Sequence, residues 1–322
     1  MDAVGKSHGK GSPLLACAGV FVVALIVRLI YLWQSSSNPT FASPIVDAME
    51  YDALARSAAA GKGISLGFFW QPFFYPAFLS GIYSISGSSM LVARIVQLFL
   101  GALTCGLTCL LGRRLFGNRI GLVAGLMAAL YGPLVFYDCE LLGTGLESLL
   151  AVILLLLVTG APASRGGRWW FLLGICGALS VLTRPTFLPF FVVACLWLAI
   201  AEYRAGTGSP RLISPLAAVA VAFALLTLPV AWKNAAISGH FSIMPYSGGL
   251  NLYIGNNPDT AATIAARPGW AWDRLTLLPK QYGVKPGYDT STFFSRKVLD
   301  YARSAPLAFL RGLAGKRPAP RG

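Results

Sequence analysis

Three carboxylates, Asp47, Glu50 and Asp52, crowd into six residues of a chain that carries only 12 acidic side chains in 322 residues. With an ordinary pKa of about 3.9, an aspartate is ionised at neutral pH. It can take the proton of a hydroxyl while that hydroxyl attacks a sugar carbon. Asp47 is the candidate for this general-base role. Its oxygens have a competing structural use, because Asp47-x-x-Glu50 resembles a capping box opening a helix that carries Tyr51, Leu54 and Ala58. The two uses need not exclude each other. A second acidic pair, Asp138 and Glu140, follows the apolar stretch 120–137, and Glu147 comes two turns later, where a packing or polar-network role is expected. Arg28, Arg94 and Arg184 lie towards the ends of apolar stretches. Each is either an interface anchor whose stem snorkels to the headgroups or a bidentate partner for phosphate oxygens; for Arg28 the phosphate would be that of a lipid. Carboxylates and guanidinium groups gathered on one face fit phosphate and sugar chemistry. A transport pore would instead place charges near the bilayer midplane.

The elements that must hold these residues are oily. The chain is 56% hydrophobic and 12% charged, about half the charged fraction of an ordinary soluble domain, and its mean hydropathy is +0.65. An all-α polytopic membrane protein follows. The formal charge of +14 does not point to nucleic acid, because Lys and Arg gather in short breaks between apolar runs, as in cytoplasmic loops. About seven spans are expected, at 14–33, 90–111, 120–137, 146–159, 169–182, 187–201 and 215–232. The first, preceded by Lys6 and Lys10, lacks a small-residue cleavage pattern and is read as an uncleaved span. The breaks at 113–119, 163–168 and 202–211 each carry at least two basic residues, which puts the tail 1–13 in the cytoplasm.

The transmembrane domain is thus 14–233, with a first outer loop at 34–88. Two surface helices are expected in that loop, with an aromatic–proline cluster at 68–76 suited to the headgroup layer. Gly121 and Gly125 form a small-xxx-small pattern for close helix packing. Residues 234–304 form a small extracytoplasmic segment, in which 253–258 reads as a strand then a turn and 292–303 has helical apolar spacing. Cys105 and Cys109, one helical turn apart, read as buried filler. With two histidines in the chain, no Cys/His metal spacing is present. No cofactor is evident; a divalent ion is compatible with the outer carboxylates but is not indicated by any spacing.

Several pieces together resemble the C-type glycosyltransferases, in the group containing protein O-mannosyltransferases and the lipid A aminoarabinose transferase. They are Asp47-x-x-x-Tyr51, Tyr75-Pro76-x-Phe78, the run Ala93-Arg94-Ile-Val-Gln97, Glu140, and Leu182-Thr-Arg184-Pro185. Most specific are Pro229-x-x-x-Lys-Asn234 and the stretch Gly248 to Pro258, typical of bacterial members. The resemblance implies a polyprenyl-phosphate sugar donor used on the outer side of the plasma membrane, and a protein, lipid or glycan acceptor. It implies Asp47 as general base, with inversion at the sugar carbon. Arg94 and Arg184 would hold the donor phosphate, with Tyr51, Glu140 and Arg28 as further substrate-binding positions. Two departures stand out: Ala48 follows Asp47 where many mannosyltransferases have an acidic pair, and the sequence reaches Gly322 where members continue with further spans. A truncated product, with 305–322 as a C-terminal remnant, is therefore expected. A transporter or lipid flippase, and an inactive fragment of a glycosyltransferase, are the alternatives.

Overall fold

The computed structural model describes residues 13–64, 71–160, 166–204, 209–266, 269–285 and 287–315. Lys6 and Lys10, residues 68–70 of the aromatic cluster, the inner break at 163–165 and the end of the remnant at 316–322 lie outside the described residues. Among the described residues every regular element is an α-helix. In chain order they are α1 (Pro13–Ser35), α2 (Pro39–Ala42), α3 (Asp47–Ala59), α4 (Phe74–Ser86), α5 (Met90–Phe116), α6 (Asn118–Leu130), α7 (Gly132–Cys139) and α8 (Thr144–Thr159). They continue with α9 (Gly167–Thr183), α10 (Phe187–Arg204), α11 (Ser209–Ser238), α12 (Ser247–Gly255), α13 (Thr260–Ala265), α14 (Trp270–Gln281), α15 (Tyr288–Ser304) and α16 (Pro306–Ala314).

All seven predicted apolar stretches are helical, but they are not equal. Helices α1, α5, α10 and α11 are long and apolar enough to cross a membrane. The pair α6 and α7 passes only together, bent by 53°. Helices α8 and α9 are apolar but shorter, at 16 and 17 residues. Among the described residues four or five segments, rather than seven, are long and apolar enough to meet the length of about 20 residues that a span requires. The chain is an all-α polytopic membrane protein.

Contacts divide the chain into two compact units, Met1–Gly63 with Phe74–Leu226 and Ile64–Phe73 with Thr227–Gly322, the division falling inside α11. The first unit is built on α5. Glycines let α6 approach it closely: a methyl on Gly112 would come 2.9 Å from the Gly121 Cα, and one on Gly125 would come 2.6 Å from the Cys109 Cβ. The predicted small-residue pair thus faces α5, and Cys105 and Cys109 are buried in the packing of α1, α5 and α6.

The bend between α6 and α7 has a local cause. Pro133 carries no N–H and cannot donate to the Ala129 carbonyl one turn earlier. Arg28, on α1, supplies the missing donor from its Nη1 at 3.4 Å. Its Nε forms an ion pair with Asp138 at 2.8 Å, and both side chains are 3% exposed or less. The Asp138 carboxylate fits against the bare Cα of Gly101, where a methyl would overlap it. Arg28 therefore does not reach the headgroups or a lipid phosphate. Its charge is neutralised inside the bundle, where an unpaired guanidinium would be costly.

The two expected loop helices are α3 and α4. Ala48, Tyr51 and Ala55 on α3 join Tyr75, Leu79 and Tyr83 on α4 in one buried cluster. Asp52 fastens the pair: it accepts from the Tyr83 hydroxyl and holds Arg56 at 2.8 Å. Burial, and then the hydrogen bond to Asp52, push the Tyr83 phenol above its ordinary range, so the hydroxyl stays a donor.

In the second unit α12 packs on α15. Leu250 and Phe294 are fully buried, and the Gly249 N–H donates to Ser291 Oγ at 2.9 Å. The strand expected at 253–258 is instead the end of α12: Leu250, Tyr253 and Ile254 recur at helical spacing, and the helix holds them together. The turn is where it was expected, closed by Asn257, whose side chain donates to the Tyr253 carbonyl at 2.7 Å and accepts from the Asp259 N–H at 2.7 Å. The apolar spacing at 292–303 belongs to α15, which begins earlier, at Tyr288. In the segment read as a remnant, 306–314 forms α16.

Candidate active site

In the first unit, α2, the start of α3 and the α7–α8 turn enclose a cleft of about 400 Å³. Its walls are largely apolar, with Ile45, Val46, Phe136 and Leu142, and two carboxylate residues, Asp47 and Glu140, line it together. This is the composition of a small-molecule site, apolar walls with a few convergent polar groups. The sequence placed these two residues 93 positions apart, and the fold brings them to one cavity.

Asp47 reaches the cleft through an unusual backbone. Asp47 does not hold the N-cap position: it is the first helical residue of α3, and the N-cap is Val46, whose side chain makes no capping bond. Val46 has φ 54° and ψ −126°, a left-handed conformation that a β-branched side chain adopts only under strain. Such strain of about 1–3 kcal/mol clusters at functional sites because surrounding packing must enforce it. Four residues on, Tyr51 is buried and meets the Tyr75 ring edge-on at 4.8 Å between centroids. Burial, followed by the charges of Asp47 and Glu50, raises the Tyr51 phenol above its usual range, while Arg184 opposes the shift. Tyr51 therefore stays protonated and feels both the cleft carboxylate and Arg184.

Glu140 is delivered by a turn that α5 grips. Arg94 and Gln97, one turn apart on α5, are buried to 1% and 3% exposure. Arg94 Nε donates to the Cys139 carbonyl at 3.0 Å. Gln97 Nε2 donates to the Glu140 carbonyl at 2.6 Å and, more weakly, to that of Asp138 at 3.4 Å. The carbonyls of Asp138, Cys139 and Glu140, at the end of α7 and just beyond it, thus accept from one face of α5, and that of Glu140 also accepts from the Leu142 N–H at 2.8 Å. A cation at a helix C-terminus is also favourable electrostatically.

Arg94 is incompletely engaged. Its guanidinium lies 4.0 Å over the Phe41 ring, yet its Nη2 is buried and has no hydrogen-bond partner among the described residues. Phe41 and Cys139 adjoin the cleft-lining Thr40 and Glu140 in the chain. A buried, charged donor left open in this way is costly unless something accepts from it. Arg184 differs: it caps α9, is 56% exposed, and pairs with Glu147 at 3.0 Å. Glu147 therefore has the polar-network role expected of it. Asp138, expected at an outer turn, is turned inward to Arg28.

The predicted site residues thus fall into three groups. Asp47 and Glu140 share the cleft, while Tyr51, one turn along α3, packs on Tyr75 and Arg94 holds the Cys139 carbonyl; Arg184 lies in a partly exposed ion pair; Arg28 serves the bend. Gln97 and Tyr75 were noted in the sequence only as members of a motif. A polar pair at one-turn spacing inside an apolar helix, Arg94 and Gln97, was the signal for the grip on the turn. Among the described residues no group of three or more His, Cys, Asp or Glu is arranged to hold a metal ion.

Residues 70–232 match the family model described as dolichyl-phosphate-mannose-protein mannosyltransferase. Arg94, Gln97, Glu140 and Arg184 lie inside the matched segment, and Asp47 lies before it. No curated protein and no solved structure matches the chain.

Proposed function

Since the chain belongs to the dolichyl-phosphate-mannose-protein mannosyltransferase family, and is thus a membrane glycosyltransferase, we propose that it moves a sugar from a polyprenyl-phosphate donor to a protein, lipid or glycan acceptor. The reaction takes place on the extracytoplasmic side of the plasma membrane, with the N-terminus in the cytoplasm. The observation that supports this is the cleft itself, which Asp47 and Glu140 line together; Arg94, whose buried Nη2 has no partner among the described residues, holds the carbonyl of Cys139, the residue before Glu140.

Asp47 takes the proton of the acceptor hydroxyl as the new oxygen–carbon bond forms at the sugar. The bond from that carbon to the phosphate oxygen breaks on the opposite side, so configuration inverts. The transition state has oxocarbenium character, as in glycoside hydrolysis. Negative charge grows on the departing lipid phosphate, and Arg94 Nη2, with Arg184 nearer the surface, is the preorganised donor for it. Glu140, on the facing wall, orients the sugar or acceptor hydroxyls, and Tyr51, kept protonated, is a neutral donor beside the base.

The test is transfer from a radiolabelled polyprenyl-phosphate sugar to membrane acceptors by the purified chain in nanodiscs. Asp47→Asn is expected to lower kcat by about 10²–10⁴-fold, the usual contribution of a general base. Equal turnover by the variant and the wild type would remove Asp47 from that role.

A further inference from the structure

The two chain segments that carry the cleft carboxylates, α3 and the α7–α8 turn, are joined by a continuous chain of contacts. Tyr51, one helical turn beyond Asp47, abuts Tyr75 edge-on at 4.8 Å. The Tyr75 hydroxyl donates to Gln97 Oε1 at 2.9 Å. Gln97 Nε2 donates to the Glu140 carbonyl at 2.6 Å. Tyr75 and Gln97 are 1% and 3% exposed, so water does not compete for these bonds. The amide of Gln97 has its acceptor end on α4 and its donor end on the α7–α8 turn, which fixes its orientation and the distance between those elements.

We infer that Tyr75 and Gln97 are positioning residues that hold the Asp47 wall and the Glu140 wall of the cleft at one separation. Neither touches the reacting groups. They act through α3, whose first residue is Asp47, and through the turn that presents Glu140. The inference rests on the proposed sugar transfer for its kinetic consequence, but its geometric part stands alone. The strained Val46 gives the relay its purpose: a helix start held away from its relaxed backbone needs support from behind, and Tyr51–Tyr75 packing provides it within one turn. Small displacements of reacting groups are expensive in rate, so a relay that loses one hydrogen bond should lower turnover without abolishing the fold.

The experiment uses the full chain in nanodiscs, with spin labels on unnatural amino acids at positions 45 and 142, which line the two walls. Tyr75→Phe removes a single oxygen; Gln97→Met, similar in shape but without hydrogen bonds, is the second variant should the first relax locally. In both, the 45–142 distance distribution is expected to broaden relative to wild type, and kcat to fall about tenfold with the donor KM within about twofold, as for one lost positioning bond. The double variant should be no worse than the more affected single one. An unchanged distance distribution in both variants overturns the relay, whatever happens to activity. Broadened distances with wild-type turnover overturn its role in the reaction. If the distances broaden while Asp47→Asn retains full turnover, the proposed chemistry fails and the mechanical link survives.

Discussion

Arg28 and Arg94 are the same side chain at the same burial, each 1% exposed, in two regions of one bundle with opposite accounts to give. Arg28 is complete: a carboxylate at 2.8 Å neutralises it, and the Ala24 and Ala129 carbonyls at 3.2 and 3.4 Å accept from its Nη1. Arg94 has no carboxylate within ion-pair distance among the described residues; it has one carbonyl, one aromatic face and an open Nη2. The lesson is that a buried charge must be judged by whether its donors are satisfied: Arg28's carboxylate and carbonyls account for it inside the bundle, whereas Arg94 keeps one donor open. Counting arginines near segment ends groups these two together, and asking what each one donates to separates them.

The comparison can be broken in order of size. Asp138→Ala should be the most damaging change in the chain, because it leaves Arg28 buried and unpaired; a loss of about 3–5 kcal/mol is expected for such an orphaned charge. Thermal unfolding in detergent or the yield of folded protein measures it, and a variant as stable as wild type would show that water or lipid reaches Arg28. Arg94→Met should do the reverse, keeping the fold while lowering kcat/KM by about 10²–10³-fold, the usual effect of losing one preorganised donor. Arg94→Lys should recover part of this, since it keeps the charge but loses the planar fork. Collapse of the fold with Arg94→Met would make Arg94 a second Arg28. Smallest of all is Glu147→Gln: the half-exposed pair with Arg184 contributes about 0–1 kcal/mol, so stability should barely move, and a large loss would reveal a buried role that its exposure hides.

Much of the fold was legible in the sequence. Seven apolar stretches became helices because hydropathy sustained over that length leaves a backbone in lipid little other choice. The loop helix α3 was legible from the helical spacing of Tyr51, Leu54 and Ala58, of which Tyr51 and Leu54 are buried, and α4 from the family motif Tyr75-Pro76-x-Phe78, whose Tyr75 and Pro76 face inward. The misreadings have physical causes as well. Residues 253–258 carry Tyr and Ile, which favour strands, but packing of Leu250 and Phe294 outweighed that local preference. Asp47-x-x-Glu50 matched a capping box one residue out of register, because the chain enters α3 through Val46 rather than through the aspartate.

The site was half legible. Asp47 and Glu140 could be nominated by charge, but their shared cleft depends on how α3 and the α7–α8 turn pack, which no local pattern encodes. For Arg28 the signal was present and unused: Asp138 is the opposite charge bordering another apolar stretch, and opposite charges in lipid seek each other.

Because Pro133 deprives the Ala129 carbonyl of its own helix's donor and Arg28 replaces it, the bent segment is not self-sufficient. In a medium without water it can settle only beside a neighbour that already stands there. The ribosome delivers α1 about a hundred residues before the proline arrives, so the order of synthesis matches the order of need, and the first helix acts as a built-in insertion partner for the third.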